Sequence, residues 1–353
     1  MLGVGIVGCG NISSIYAANL GGAVVGVADL DTGRAEALAA RGGIRAFASV
    51  PELLESPHVG IVLNLTTPDG HFSVSEAALR AGKHVYVEKP LSSSLVEARA
   101  LLDLADSKSL VVGCAPDTVL GAGIQTCRRL VDDGSLGEVT TGFASMLCPG
   151  HEAWHPAPAF YYNSGGGPMW DMGPYYLTAL VWLLGPIAAV TASASTPRSE
   201  RTVASGPKAG ERVPVETPTT IAATLELVSG AVVQFLVSFD VAAHDLPHLE
   251  LHGQRGALRV PDPNGFGGAP LVREASGWQP VPLDPGLNEN ARGIGVREMA
   301  RAIERGATPR CSGEVALHIV EVMAGALDSA TRGSRVTIAS RPSRPAPFRG
   351  GEW

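Results

Sequence analysis

Short apolar runs alternate with longer amphipathic stretches through the first third of the chain, a pattern that predicts strand, helix and strand in turn. The run VGIVG after Leu2 passes through GCGNIS into a helical stretch ending near Leu20, and AVVGVADL begins a second strand that ends in acid. Helices are predicted around Arg34 to Ala40 and Pro51 to Leu54, with a strand near Ala46 between them. The buried-strand run VGIVLNL, a helix HFSVSEAALRAG, a strand HVYVEK, a helix SLVEARALLDLADSK and a strand SLVVGCA follow. Runs that are apolar throughout belong to strands covered on both faces, so a parallel sheet flanked by helices is expected over residues 1–118.

The pattern then changes. A helix (GAGIQTCRRLVDDG) and a strand (EVTTGFASML) lead into a loop rich in proline, histidine and aromatics, then a glycine run, NSGGGP, and a helix from about Met172 to Leu184. The runs AAVTASAS, RTVASG, TTIAATLEL, AVVQFLVSFD, HLELHG and GALRVP are separated by turn signals and predict a largely antiparallel sheet. Two helical stretches, VREMARAIERG and GEVALHIVEVMAGALDSATRG, and a short strand RVTIA close a second domain over residues 119–340. Residues 341–353 lack apolar periodicity and read as a loose or extended arm. The fold class is therefore α/β, a doubly wound N-terminal domain followed by an α/β domain with a large, mostly antiparallel open sheet.

Composition narrows the function. The 353 residues are 45% hydrophobic, too apolar for disorder and enough for two cores. With 34 acidic residues against 27 basic and no basic run, the chain offers no footprint for nucleic acid or an anionic membrane. The longest apolar stretch, Tyr175 to Val190, is broken at Gly185-Pro186 and falls short of the roughly 20 residues that a bilayer needs. Five scattered cysteines without CxxC spacing suit a reducing compartment, and no signal segment precedes the first strand, so a cytoplasmic protein is expected. No His, Cys and carboxylate combination at ligand spacing reads as a metal site.

Four motifs carry chemistry. Gly8-Cys9-Gly10-Asn11-Ile12-Ser13 lies between strand and helix, with Asp29 ending the next strand 19 residues after Gly10. Gly8 permits a tight turn, Gly10 lets backbone approach a pyrophosphate, and the helix N-terminus offers free N–H groups to it, so dinucleotide binding is the reading. Asp29 suits a ribose diol and repels a 2′-phosphate, which favours NAD, while Arg34 nearby keeps NADP possible. The second motif, Thr66-Thr67-Pro68-Asp69-Gly70-His71, follows a buried strand, where turns of an open α/β sheet line the ligand crevice. The third, Glu88-Lys89-Pro90, places one of only four lysines at a strand's carboxyl end. The fourth, GGGPMWDMGPYY, sets Asp171 where a helix would start and Tyr175 four residues on, on the same helical face.

Together these motifs resemble the Gfo/Idh/MocA family of dinucleotide-dependent oxidoreductases, over nearly all the chain up to about residue 340. The resemblance implies a Rossmann domain in which Gly8, Gly10, Asn11 and Ile12 cradle the pyrophosphate and Asp29 meets the adenosine ribose. It also implies that Thr66, Thr67, Pro68, His71, Glu88 and Lys89 line the nicotinamide half, and that Lys89 and Asp171 are catalytic. Many members have a DxGxH pattern; this chain has Tyr175 at that histidine's place, as do branches that include glucose-fructose oxidoreductase.

The expected reaction is hydride transfer between the nicotinamide and a sugar, cyclitol or related polyol, with Lys89, Asp171 and Tyr175 as the acid/base set and Lys89 lowering the phenol's pKa. Among the aromatic and imidazole side chains flanking the glycine run, which include His151, Trp154, Tyr161 and Tyr162, the pair His155 and Trp170 is the preferred substrate contact, with Asp117 as a third. The open sheet predicts self-association into a homodimer or homotetramer. Two alternatives stay open on the sequence: a dinucleotide-sensing regulator without catalysis, and an NAD-dependent hydrolase or epimerase with no net redox change.

Overall fold

The strands VGIV (β1, Val4–Val7), IVLN (β4, Ile61–Asn64) and HVYV (β5, His84–Val87) are almost wholly buried, as runs of apolar residues between two helical layers must be. In the computed structural model, which describes residues 2–155 and 157–349, they are joined by β2 (Val24–Ala28), β3 (Arg45–Ala46) and β6 (Val112–Cys114) in a six-stranded parallel sheet of order β3-β2-β1-β4-β5-β6. This is the doubly wound order, whose crevice opens where the winding reverses, between β1 and β4. The register makes the crevice: Val7 pairs with Asn64, Asn64 with Val87 and Val87 with Cys114, so these four strands end level. The glycine turn, the Thr66–Pro68 turn and Glu88-Lys89 all leave the sheet along that edge.

The connecting helices are α1 (Ser13–Leu20), α2 (Thr32–Gly42), α3 (Val50–Glu55), α4 (Pro68–Arg80) and α5 (Leu95–Ser107). Their starts follow local chemistry. The side chains of Asp31, Ser49 and Ser94 accept N–H groups of the first turns of α2, α3 and α5, and Pro68 opens α4 where no N–H is needed.

Helix α6 (Ala122–Asp132) leads to the second sheet, of nine strands in order β16-β15-β14-β13-β7-β12-β11-β8-β17. Its members are β7 (Val139–Leu147), β8 (Ile187–Ser195), β11 (Thr220–Leu227), β12 (Val232–Ser238), β13 (Leu249–Gly253), β14 (Ala257–Val260), β15 (Leu271–Glu274), β16 (Gly277–Pro280) and β17 (Val336–Thr337). Within this sheet, among the described residues, β7 and β12 alone pair in parallel. A separate ribbon joins β9 (Glu200–Thr202) to β10 (Arg212–Pro214). Helix α7 (Gly167–Leu184) covers one face of the large sheet.

Two further helices tie the sheets together. Helix α8 (Ile294–Glu304) packs against α1 and β6, and α9 (Gly313–Arg332) contacts α5 and β6 on one side and α7 and β8 on the other. Backbone bonds reinforce the seam, with the Cys114 amide donating to Cys311 at 3.0 Å. The segment 341–349 is extended, as its lack of periodicity predicts, but it is not loose. Arg344 Nε donates to the Trp182 carbonyl at 2.9 Å, and the amide of buried Phe348 donates to Gln125 Oε1 at 2.7 Å.

Candidate active site

Gly8 has φ +98°, and a Cβ there would lie 2.6 Å from the Leu65 carbonyl, so only glycine fits the turn. A Cβ on Gly10 would instead meet nothing within 4 Å, because the space above it is the open crevice. Helix α1 has Ile12 at its N-cap and no side-chain cap; the Ser13 amide turns back to the Gly10 carbonyl at 3.1 Å, and the amides that follow it in the first turn are open to an anion. Asp29 clamps the turn from below: Oδ2 accepts the Cys9 amide at 2.6 Å and Oδ1 the Asp31 amide at 2.8 Å. Arg34 lies on the surface beside Asp31, 3.3 Å away. Open space over Gly10, free helix-end amides and an acid at the end of β2 are what a dinucleotide needs, so these residues fit NAD.

Along the same edge, Thr66 donates to Asn64 Oδ1 at 2.7 Å, and Thr67 and Pro68 start α4. Glu88 turns back into the protein, accepting the Tyr16 hydroxyl at 2.8 Å and the Lys89 amide at 2.7 Å. The lysine crosses to the second half of the chain. Its Nζ donates to Asp171 Oδ1 at 2.8 Å and to the Asp171 carbonyl at 2.6 Å. Lys89 and Asp171 lie in the wall of a cavity of about 230 Å3, with Thr67 and Pro68 on one side and Tyr161, Asn163, Ser164 and Trp170 on the other.

The glycine run shapes this wall. A Cβ on Gly166 would strike the carbonyls of Phe160 and Tyr161, and one on Gly167 would approach the Pro218 carbonyl to 2.8 Å. Helix α7 therefore begins at Gly167, five residues before the predicted start, and Asp171 is in its second turn instead of at an N-cap. Tyr175 follows one turn later, buried, with its ring under Lys89 Nζ at 5.3 Å from the centroid.

Charge is unevenly held. Burial alone would raise the Asp171 carboxyl, but Lys89 and His151 overcome it and bring its pKa down to about 2. Burial likewise opposes charge on Lys89, yet Asp171, Tyr175 and Glu88 carry it above the usual lysine range, so the amine stays an ammonium. For Tyr175 burial wins: the phenol sits above its ordinary value although Lys89 and Arg292 pull it down. The expectation that the lysine brings this phenol toward neutrality is thereby corrected.

Three predicted contacts lie elsewhere. His71 is buried, with Nδ1 2.6 Å from the Pro90 carbonyl and Nε2 3.1 Å from the Thr66 carbonyl, so it braces the crevice floor instead of facing it. Asp117 is 1% exposed, and its Oδ2 accepts the amides of Gly293 at 2.8 Å and Gly295 at 3.1 Å, which makes it a buried cap for α8 in place of a substrate contact. His155 stays outside the cavity wall; its Nδ1 accepts the Ala157 amide, and its ring packs between Trp154, Phe160 and Tyr161. Trp170 does line the cavity, while Tyr175 is not in its wall and adjoins it beneath Lys89.

Two residues reach the site by routes the sequence conceals. His151 Nε2 lies 3.0 Å from Asp171 Oδ2, and the Arg292 guanidinium, in the loop before α8, comes near enough to Tyr175 to pull its phenol down. Both come from loops, which have no periodicity to project a side chain, although an arginine and a histidine in long loops were the available signal. Among the described residues no group of three or more His, Cys, Asp and Glu side chains is placed to hold a metal ion, and no helix is long and apolar enough to cross a membrane.

Comparison with known proteins agrees with this geometry. Residues 2–115 match the oxidoreductase family with an NAD-binding Rossmann fold, and residues 124–259 match the GFO/IDH/MocA C-terminal domain. The chain is 29% identical over 303 residues to the 1,5-anhydro-D-fructose reductase of Ensifer adhaerens, covering 83% of this chain and 84% of that one. An NAD binding oxidoreductase from Klebsiella pneumoniae superimposes with a TM-score of 0.84 at 21% identity, over 96% of this chain and 99% of its own. A levoglucosan dehydrogenase in complex with NADH and L-sorbose gives 0.82 at 20%, over 96% and 99%. A nucleotide cradle on one half, a lysine reaching from it to an aspartate on the other, and matches to both domains lead to one conclusion: the chain belongs to the Gfo/Idh/MocA family of NAD-binding oxidoreductases.

Proposed function

We propose that the protein interconverts a secondary alcohol and a ketone on a sugar, cyclitol or related polyol, with Lys89, Asp171 and Tyr175 as its chemical centre. The observation that carries this is the Lys89–Asp171 pair in the wall of a polar and aromatic cavity beside the nucleotide edge. Gly8, Gly10, Asn11, Ile12 and Asp29 hold the pyrophosphate and adenosine ends, and Thr66, Thr67, Pro68, Glu88 and Lys89 border the nicotinamide. When bound, NAD(H) accepts or supplies the hydride. The Asp29 carboxylate favours NAD, and the surface position of Arg34 leaves room for NADP.

The side chains divide the remaining work. Asp171 keeps the Lys89 Nζ charged and anchored, and that ammonium polarises the substrate carbonyl oxygen. Tyr175 Oη, still protonated at neutral pH because burial keeps its pKa up, delivers the proton to the same oxygen. Arg292 orients the hydroxyl. Burial keeps the phenol in its protonated form, ready to donate, so the arrangement suits ketone reduction. Asn163, Ser164 and Thr67 offer hydrogen bonds to ring hydroxyls, and Trp170 and Tyr161 offer apolar faces. Relatives with sugar and cyclitol chemistry support the class, among them 1,5-anhydro-D-fructose reductase and an NADP-dependent scyllo-inositol 2-dehydrogenase of Bacillus subtilis.

The test is cofactor absorbance with NADH, NADPH and their oxidised forms across a panel of ketoses, inososes, aldoses and polyols. Net turnover on a neutral polyhydroxylated substrate supports the reading. Product without net cofactor change would favour the hydrolase or epimerase alternative, and binding without either would favour a sensor. We also infer a homodimer or homotetramer through the uncovered face of the nine-stranded sheet, where Phe143, Ala222 and Leu236 face away from the buried rows.

A further inference from the structure

The loop between β7 and α7 is anchored with unusual thoroughness for a connection. Arg201, on the β9–β10 ribbon and almost wholly buried, donates to Glu152 Oε1 at 3.0 Å, to the Pro149 carbonyl at 3.3 Å and to the Phe239 carbonyl at 3.1 Å, and pairs with Asp240. Tyr162 bonds Glu152 through its hydroxyl and accepts the His151 amide at 3.1 Å on the same oxygen. Gly150 at φ +104° makes the turn that brings these groups together. The side chain they position is that of His151. Its ring is enclosed by Tyr161, Phe239 and Trp154 at centroid distances of 4.2, 4.5 and 5.3 Å. Its Nε2 meets Asp171 Oδ2 at 3.0 Å, while its Nδ1 is buried with no partner.

An ionised carboxylate only accepts hydrogen bonds, so Nε2 carries the proton and donates it to Asp171. A buried imidazole with one nitrogen unsatisfied is a costly way to fill an aromatic pocket, since a phenylalanine would pack there without an orphaned polar atom. The one compensating contact is the bond to Asp171. The carboxylate therefore stands between two donors from opposite directions, Lys89 Nζ on Oδ1 and His151 Nε2 on Oδ2.

We propose that His151 is a positioning residue for the reaction: its Nε2–H fixes the Asp171 carboxylate in the one orientation that aims the Lys89 ammonium at the substrate oxygen. The inference rests on the proposed oxidoreductase chemistry and adds to it a residue that stands behind the cavity wall, touching Asp171 and Tyr161 without lining the cavity itself. With this donor gone, the carboxylate rotates about its own bond and the lysine follows, so ground-state binding of the nucleotide survives while the reacting geometry is lost.

The experiment compares His151→Phe, which keeps the ring but lacks the donor, with His151→Gln, which keeps a donor, using His151→Leu as a second donor-free variant. The expected result for the donor-free variants is a fall in kcat of about tenfold with NADH affinity by fluorescence titration unchanged. The glutamine variant recovers most of the rate. In an Asp171→Ala background, which has no acceptor for Nε2–H, removing the histidine costs nothing further, because its effect passes through the carboxylate. Wild-type kcat in His151→Phe, equal losses in the glutamine and phenylalanine variants, or losses that multiply with Asp171→Ala would each overturn the proposal. Failure of the underlying reading looks different: Lys89→Met would then turn over substrate normally, whatever the histidine variants do.

Discussion

The phenol of Tyr175 is pulled in two directions, upward by burial and downward by Lys89 and Arg292, and burial prevails. Two predictions belong to that residue. Tyr175→Phe keeps the ring against Lys89 but has no proton to give, so ketone reduction falls by about 100- to 1,000-fold in kcat while NADH affinity stays at the wild-type value. Steady-state kinetics with fluorescence titration measures both. The pH profile of ketone reduction is the second. A proton donor whose pKa lies above the usual tyrosine value of about 10, beside an ammonium raised above the usual lysine value, keeps kcat/KM flat from neutral pH to about pH 9. A limb near the ordinary histidine value of about 6.5 would assign the proton to an imidazole instead.

At the scale of single elements, the cap of α8 gives a stability prediction. Burial raises the Asp117 carboxyl to about 6, against the partial pull of the Gly295 and Gly293 amides. The folded protein thus holds this proton where the unfolded chain, with a value of about 3.9, has released it, and stability falls as pH rises from about 4 to about 6. Asp117→Asn retains an oxygen for both amides without a buried charge. Its Tm should equal or exceed wild type at pH 7 to 8, with the gain vanishing below about pH 4, while Asp117→Ala loses the cap, worth about 1 kcal/mol. A loss in the asparagine variant as large as that of the alanine variant at every pH would show that the charge itself is required.

The same element shows where reading the sequence ends. The apolar runs at Val4, Ile61 and His84 and the caps at Ser49 and Ser94 depend on neighbours along the chain, so strands, helices and the glycine turn were legible. So was the meeting of Lys89 with Asp171, through motifs at strand and helix ends. The start of α7 was set too late because Gly165-Gly166-Gly167 looks like loop, although Pro168 suits a first helical turn. Asp117 follows the last parallel strand as a crevice residue would, and its capture by Gly293 and Gly295 depends on a loop 176 residues away. The choice of His155 over His151 was a choice between two loop histidines that only the Arg201–Glu152 anchor decides.

For the whole molecule, the two sheets are joined where α8 and α9 return to β6, and the large sheet leaves one face uncovered. Phe143 pairs across β7 and β12 with Gln234, and Leu236 sits beside Ala222 on β11, so apolar side chains are interleaved with polar ones on that outer face. If the proposed homo-oligomer forms through this face, Leu236→Arg yields a smaller species in light scattering without altering Tm by more than a few degrees; an unchanged mass would contradict that interface. The central claim is that a lysine from the nucleotide-binding half acts on a substrate held by the other half. Single-turnover hydride transfer from bound NADH in Lys89→Met tests it most directly. The account predicts wild-type NADH affinity with transfer slowed by about 1,000-fold or more, and transfer at the wild-type rate would contradict it.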